Sequence, residues 1–205
     1  MRLEARDLCV ERGGRVVLHD LSFTLESGES LIVTGQNGAG KSTLLRTLAG
    51  LVPMTRGRLI ASPQTEEELA ERLHYIGHAD AFKGTLTPIE NLTFWAAMLR
   101  TDAPPLSPRA ALGELGIEHL GDLPSAYLSA GQRRRLSLAR LLVAARPLWL
   151  LDEPTTALDQ ASQDVLFTLM RKHIEKGGSI IAATHAPLDL PGRTLSLTAT
   201  DGVAA

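Results

Sequence analysis

Apolar and polar positions alternate through the first 25 residues: Leu3 and Ala5, then Val16 and Leu18, then Leu21, Phe23 and Leu25. With Arg12-Gly13-Gly14 between the halves, that period of two predicts an antiparallel hairpin or meander. It leads into the apolar run Leu31–Val33, a strand candidate. Leu44-Leu45-Arg46-Thr47-Leu48-Ala49, closed by Gly50, predicts a helix with a glycine at its end. Val52–Gly57 is turn-like. Arg58–Ala61 and Leu73–Ile76 follow as short strands, and Thr65–Arg72 between them reads as a short acidic helix with a solvated face.

From Ala79 to about Arg146 the strand signals disappear. Thr87-Pro88-Ile89-Glu90 predicts a helix start, with Thr87 as N-cap, Pro88 in first position and Glu90 completing a capping box. Leu92, Trp95, Ala96 and Leu99 continue it at helical spacing. After a Pro-rich break at 101–108, further helices are expected at Arg109–Leu115 and from Leu136 to Ala145. Strand character returns with Leu148–Leu151, then a helix near Gln160–Lys176 ended by Gly177-Gly178, a buried strand at Ser179–Thr184, and a last strand-like alternation at Thr194–Leu197. The expected fold is α/β, with an N-terminal antiparallel β part and an all-helical subdomain inserted into the core. The core spans about 1–78 and 147–205, and the helical part about 79–146.

Composition fits one such domain: 205 residues, 44% hydrophobic and 21% charged. A net charge of −2 offers no basic excess for nucleic acid, so no nucleic-acid partner is expected. Cys9 is the only cysteine, which rules out a disulfide framework and suits a reducing compartment. The start MRLEARDL carries acids and lacks the apolar region of a secretory signal. No apolar run approaches the ~20 residues that span a bilayer, so any membrane association is expected through a partner.

The chemistry centres on Gly35-Gln36-Asn37-Gly38-Ala39-Gly40-Lys41-Ser42-Thr43, which contains G-x-x-x-x-G-K-[ST] between a strand and a helix. Glycines let backbone N–H groups converge on a phosphate, and the helix N-terminus adds its positive end. Lys41 brings a charge to the β- and γ-phosphates, and the Ser42 hydroxyl is placed to ligate Mg²⁺. A nucleoside triphosphate is the expected ligand. Downstream, Leu148–Leu151 delivers Asp152 and Glu153 at a strand end, the edge where ligands sit in open α/β sheets. Asp152 is a candidate Mg²⁺ ligand, and Glu153 a candidate general base for water.

Leu128-Ser129-Ala130-Gly131-Gln132 resembles the LSGGQ signature of ATP-binding cassette (ABC) proteins, and Arg133–Arg140 resembles the helix that follows it. The run Asp152–Asp159 is similar to that family's Walker B and D-loop, with Asp159 as the D-loop aspartate, and Thr184-His185 matches its switch histidine. The resemblance implies an ATP hydrolase with ATP and Mg²⁺. Two cassettes would pair head to tail, each signature meeting the other's γ-phosphate. His185 would bridge that phosphate and the partner's D-loop. Integral membrane subunits would be the further partners, with the chain peripheral on the cytoplasmic face of a bacterial inner membrane.

Two positions depart from the family pattern. His78 stands where the Q-loop glutamine is usual, and Arg12 stands where an aromatic usually stacks on adenine. The run Gly77-His78 with Lys83, Leu86-Thr87 and Glu90-Asn91-Leu92 narrows the resemblance to ATP-binding subunits of cytochrome c maturation haem export systems. Thr184-His185-Ala186-Pro187-Leu188 and the absence of a C-terminal regulatory domain point the same way. A cassette of another small-substrate transporter is the alternative. A soluble cassette acting on DNA or ribosomes is disfavoured, since no second cassette, coiled coil or basic linker is present. If His78 occupies the Q-loop role, His78→Gln is expected to retain substantial ATP hydrolysis and, because glutamine does not change charge near neutrality, to flatten its pH profile between about pH 6 and 8. An unchanged profile would make His78 purely structural.

Overall fold

The computed structural model describes residues 1–65, 68–99, 106–185 and 188–198. Most of the expected Pro-rich break, and the tail after residue 198, lie outside these residues. The chain divides into two compact units, one built from 1–77, 147–154 and 170–205, the other from 78–146 and 155–169.

The first unit carries two sheets. Strands β1 (Arg2–Arg12), β2 (Arg15–Leu25) and β4 (Arg56–Ser62) form an antiparallel sheet in the order β2-β1-β4. Its hairpin turns at Gly13 and Gly14, both left-handed at φ 58° and 74°, with Arg12 paired to Arg15. Two consecutive positive φ values match the twist of the flanking strands, and glycine meets that demand without steric cost. The second sheet is parallel: β3 (Ser30–Gly35), β5 (Leu73–Ile76), β6 (Leu148–Asp152), β7 (Ser179–Ala183) and β8 (Arg193–Leu197), in the order β5-β6-β7-β3-β8. Every residue of β6 and β7 is buried, as the unbroken apolar runs predicted for strands covered on both faces. Helix α1 (Lys41–Leu48) buries Leu44, Leu45 and Leu48, which join Leu3, Leu8, Val33, Leu148 and Ile181 in one core.

In the second unit, α2 (Pro88–Met98) begins with the predicted Thr87–Glu90 capping box. Behind that cap sits Asn91, only 2% exposed. Its side chain accepts from the Lys83 N–H (2.8 Å) and donates to the Lys83, Leu86 and Thr87 carbonyls and the Ser125 hydroxyl. A buried amide must be satisfied in this way, and here it holds the entry to the helix. Helix α3 (Pro108–Glu114) is capped by Ser107, and α4 (Ala130–Ala139) by Ser129. Helix α5 (Gln160–Glu175) starts in this unit and ends in the first.

Two expectations are corrected. The helix expected at Thr65–Arg72 is only a 3₁₀ turn at Leu69–Arg72, because Glu68 is extended and the Arg72 guanidinium donates back to the Pro63 carbonyl; Glu66 and Glu67 lie outside the described residues. The helix expected from Leu136 to Ala145 begins six residues earlier, at Ala130, and gives way to a 3₁₀ turn at Arg140–Leu142. The cap at Ser129, rather than the apolar run, sets its start.

On β6 the indole of Trp149 stacks on the His173 imidazole at 3.9 Å and 10°. Burial, only partly opposed by backbone hydrogen bonds with Pro147 and Ser179, pushes His173 down to about 4. The unfolded chain therefore takes up this proton near pH 6.5 while the folded chain resists it to about pH 4. Stability from this group is present above pH 6.5 and lost as the pH falls through that window. Discounted for partial exposure, the loss is about 2 kcal/mol. Urea midpoints at pH 7 and pH 4.5 are expected to differ more for the wild type than for His173→Phe, which keeps a ring on Trp149 but cannot titrate.

Candidate active site

The phosphate-type loop leaves β3 at Gly35 and enters α1 through Gly40, whose backbone is left-handed at φ 96°. A β-carbon at Gly40 would come within 2.9 Å of Leu18 Cδ2 and 3.1 Å of the Val17 carbonyl oxygen. The loop is thus seated against β2, a support the motif itself did not reveal. Gln36, Asn37 and Gly38 are exposed at the tip, Ala39 and Gly40 are buried beneath it, and Ser42 and Thr43 open the helix half-buried. Lys41 is buried at 8% exposure. Its ammonium donates to the carbonyls of Gly35 (2.7 Å) and Gln36 (3.1 Å) and lies 3.0 Å from His185 Nε2. An ammonium has donors only, so in this contact Nε2 accepts and the ring proton sits on Nδ1.

The carboxylates arrive from β6. Asp152, 2% exposed, accepts from the Ser42 hydroxyl at 3.0 Å through Oδ1. Glu153 follows with a left-handed backbone at φ 48°, an uncommon conformation for a side chain of this size. Its N–H donates to the Ala183 carbonyl at 2.8 Å, which fixes the turn. This turn sets the Glu153 carboxylate, which is partly exposed, 3.6 Å from His185 Nε2. Thr184 continues the sheet by donating to the Val33 carbonyl, and His185 follows it into solvent. Ala186 and Pro187 lie outside the described residues.

The other expected residues fall elsewhere. In the second unit, Leu128 is buried, Ala130 exposed, and Ser129 and Gln132 form a reciprocal capping box at 3.3 and 2.8 Å. The Ser129 oxygen accepts there, so its O–H remains a donor. A β-carbon at Gly131 would lie 2.9 Å from the Ala157 carbonyl. Asp159 accepts from the Ser162 N–H at 2.9 Å, and its hydrogen bonds with Ser162 hold the carboxyl below its usual range. His78, exposed in a bend just after β5, also belongs to this unit. Arg12 stands exposed at the end of β1 in the first unit. The structure therefore gathers Lys41, Ser42, Asp152, Glu153 and His185 into one group within the first unit.

Such a loop, two carboxylates at the end of another strand of the same parallel sheet and a facing histidine define a P-loop ATPase, and residues 18–156 match the profile of the ABC transporter family, to which this chain belongs. It is an ATP-binding, ATP-hydrolysing cassette of that class. The cytochrome c biogenesis ATP-binding export protein CcmA of Bradyrhizobium diazoefficiens is 49% identical over 198 residues, 96% of this chain and 98% of that protein. The protein of the same description from Chelativorans sp. is 49% identical, covering 94% and 95% of the two chains. A solved ATP-binding subunit of an ABC transporter, 26% identical, superposes with a TM-score of 0.84 over 100% of this chain and 90% of its own.

Seating the loop on β2 makes Gly40 doubly constrained, by its φ and by its neighbours. Gly40→Ala is expected to lower stability by about 1–3 kcal/mol and to weaken ATP binding. Chemical denaturation together with ATP titration checks both.

Proposed function

We propose that this chain is the ATPase subunit of a membrane export complex serving cytochrome c biogenesis, acting as a head-to-tail pair on the cytoplasmic face of a bacterial inner membrane. The carrying observation is the cluster in which Lys41, Ser42, Asp152, Glu153 and His185 converge on the end of one parallel sheet. The export and cytochrome c assignment is supported by near full-length likeness to the two relatives so described. Partners that cross the membrane follow from that reading, since no helix among the described residues is long and apolar enough to do so.

In this reading Lys41 turns from the Gly35 and Gln36 carbonyls to the β- and γ-phosphates of ATP. The Ser42 hydroxyl and Asp152 carboxylate, already 3.0 Å apart, are an all-oxygen pair of the kind that holds Mg²⁺ alongside phosphates and waters. When bound, Mg²⁺ offsets phosphate charge and orients the γ-phosphoryl group. Glu153 accepts the proton of the attacking water as the bond from the γ-phosphorus to the β,γ-bridging oxygen breaks, leaving ADP and phosphate. Released from Lys41, His185 can place its own N–H toward the γ-phosphate. Across the pair, Ser129 donates its free O–H and Gly131 lets the α4 amides approach, with Leu128, Ala130 and Gln132 shaping the turn. Asp159 orders the D-loop facing His185 of the other copy. His78 orients water or metal, and Arg12 covers the adenine by guanidinium stacking.

The test is Glu153→Gln, tagged and purified from native membranes in detergent with Mg-ATP. Turnover is expected to fall at least ~100-fold while ATP stays bound, in a complex with two cassettes and integral membrane subunits. Cells carrying only this variant should lose haem from their c-type cytochromes. Turnover at the wild-type rate removes Glu153 as base, whereas normal cytochromes with another transport defect select a different small-substrate transporter.

A further inference from the structure

The stretch after His78 is fastened at three points, through the Asp80 side chain and the backbones of Ala81 and Lys83. Asp80 Oδ1 accepts from the Ser137 hydroxyl at 3.0 Å, and Asp80 Oδ2 lies 3.7 Å from Arg133 Nε. The next carbonyl, that of Ala81, accepts from the Trp95 indole N–H at 2.9 Å. Over that indole lies the Arg140 guanidinium, 4.1 Å from the ring centroid and so deeply buried that its pKa drops to about 10. Two residues further on, both backbone groups of Lys83 are taken by Asn91.

Arg133, Ser137 and Arg140 stand at i, i+4 and i+7, one face of the helix whose N-terminus is the signature turn. The face that meets Asp80 directly, and Ala81 only through Trp95 of α2, is therefore joined through the helix to Ser129, about 12 Å from Ser137 at 1.5 Å per residue. The half-exposed pair with Arg133 contributes little. Ser137 is buried at 9%, so truncating Asp80 strips its hydroxyl of this acceptor. On the other side of His78, within the first unit, the Tyr75 hydroxyl accepts from Arg46 Nε of α1 at 3.3 Å. His78 is exposed, with Ala79, in the stretch of chain between Tyr75 and Asp80.

We propose that Asp80 is a positioning residue that fastens the loop bearing His78 to the signature helix, so that residues 80–83 and α4 move as one body. Its bearing on ATP turnover rests on the roles given above to His78 and Ser129–Gln132.

The test uses the full chain in its membrane complex, with Asp80→Ala, Asp80→Asn, Ser137→Ala and the Asp80→Ala/Ser137→Ala pair. Asp80→Asn keeps an acceptor oxygen for Ser137 and removes only the charge beside Arg133. Asp80→Ala is expected to lower kcat about tenfold, with KM and ADP affinity changed less than about twofold. Asp80→Asn should keep at least about half of wild-type kcat, and the pair should be no slower than Asp80→Ala alone, as expected of contacting residues. Hydrogen exchange without nucleotide should quicken at 80–83 and along α4 together, with α3 unchanged. Unchanged kcat in Asp80→Ala overturns the proposal, as does exchange that quickens in only one of the two segments. A fall in kcat that tracks lost ADP affinity or exchange faster throughout the chain also overturns it, because Asp80 is then simply a folding residue. If the wild-type complex hydrolyses no ATP, the reading of the site fails, and the exchange measurement alone decides the latch.

Discussion

A lysine ammonium that is 8% exposed must be surrounded by oxygen or nitrogen lone pairs, and the site follows from how the chain supplies them. Gly35 and Gln36 present their carbonyls because the loop doubles back over the start of α1, and His185 presents a ring nitrogen. For Gly35 to do so, its backbone takes φ 144° in a place where a β-carbon would collide with the Leu197 carbonyl on β8. The strand order β7-β3-β8 is thus written into the environment of one cation: β8 presses on the loop from one side, and the chain leaving β7 brings His185 from the other. These acceptors are weaker partners for a cation than a triphosphate, so the arrangement is satisfied yet exchangeable.

Polar side chains also organise the second unit, through one buried amide and two surface caps. Asn91 closes the start of α2, Ser129 and Gln132 close the start of α4, and Asp159 closes the start of α5. Each device places a helix N-terminus, with its unpaired amides and positive end, at a defined point of the backbone. Residues 80–83, held by side chains from α2 and α4, are part of that scaffold rather than a tether across it.

Much of this was legible in the sequence because it follows from rules that act over a few residues. Two glycines in succession set the β1–β2 turn, unbroken apolar runs marked β6 and β7, and Thr87-Pro88-Ile89-Glu90 opened a helix. Where neighbouring signals competed, the reading slipped. The apolar period of α4 begins at Leu136, yet its first turn is fixed by a polar cap seven residues earlier. The acidic run at Thr65–Arg72 had helical composition, but Arg72 is drawn inward to the Pro63 carbonyl and Glu68 is extended.

By itself the sequence pointed to residue types suited to a nucleotide, namely the glycine loop with Lys41 and Ser42 and the Asp152-Glu153 pair, because their chemistry and local spacing are properties of short segments; His185 came only through resemblance to the family's switch histidine. Only the tertiary structure decided that Lys41 and His185, 144 residues apart, share one contact. It alone set the Glu153 carboxylate through a left-handed backbone anchored on Ala183, seated Gly40 on Val17 and Leu18, and coupled Asp80 to Ser137. Those features depend on which strands and helices become neighbours, and no local period of hydrophobicity encodes that.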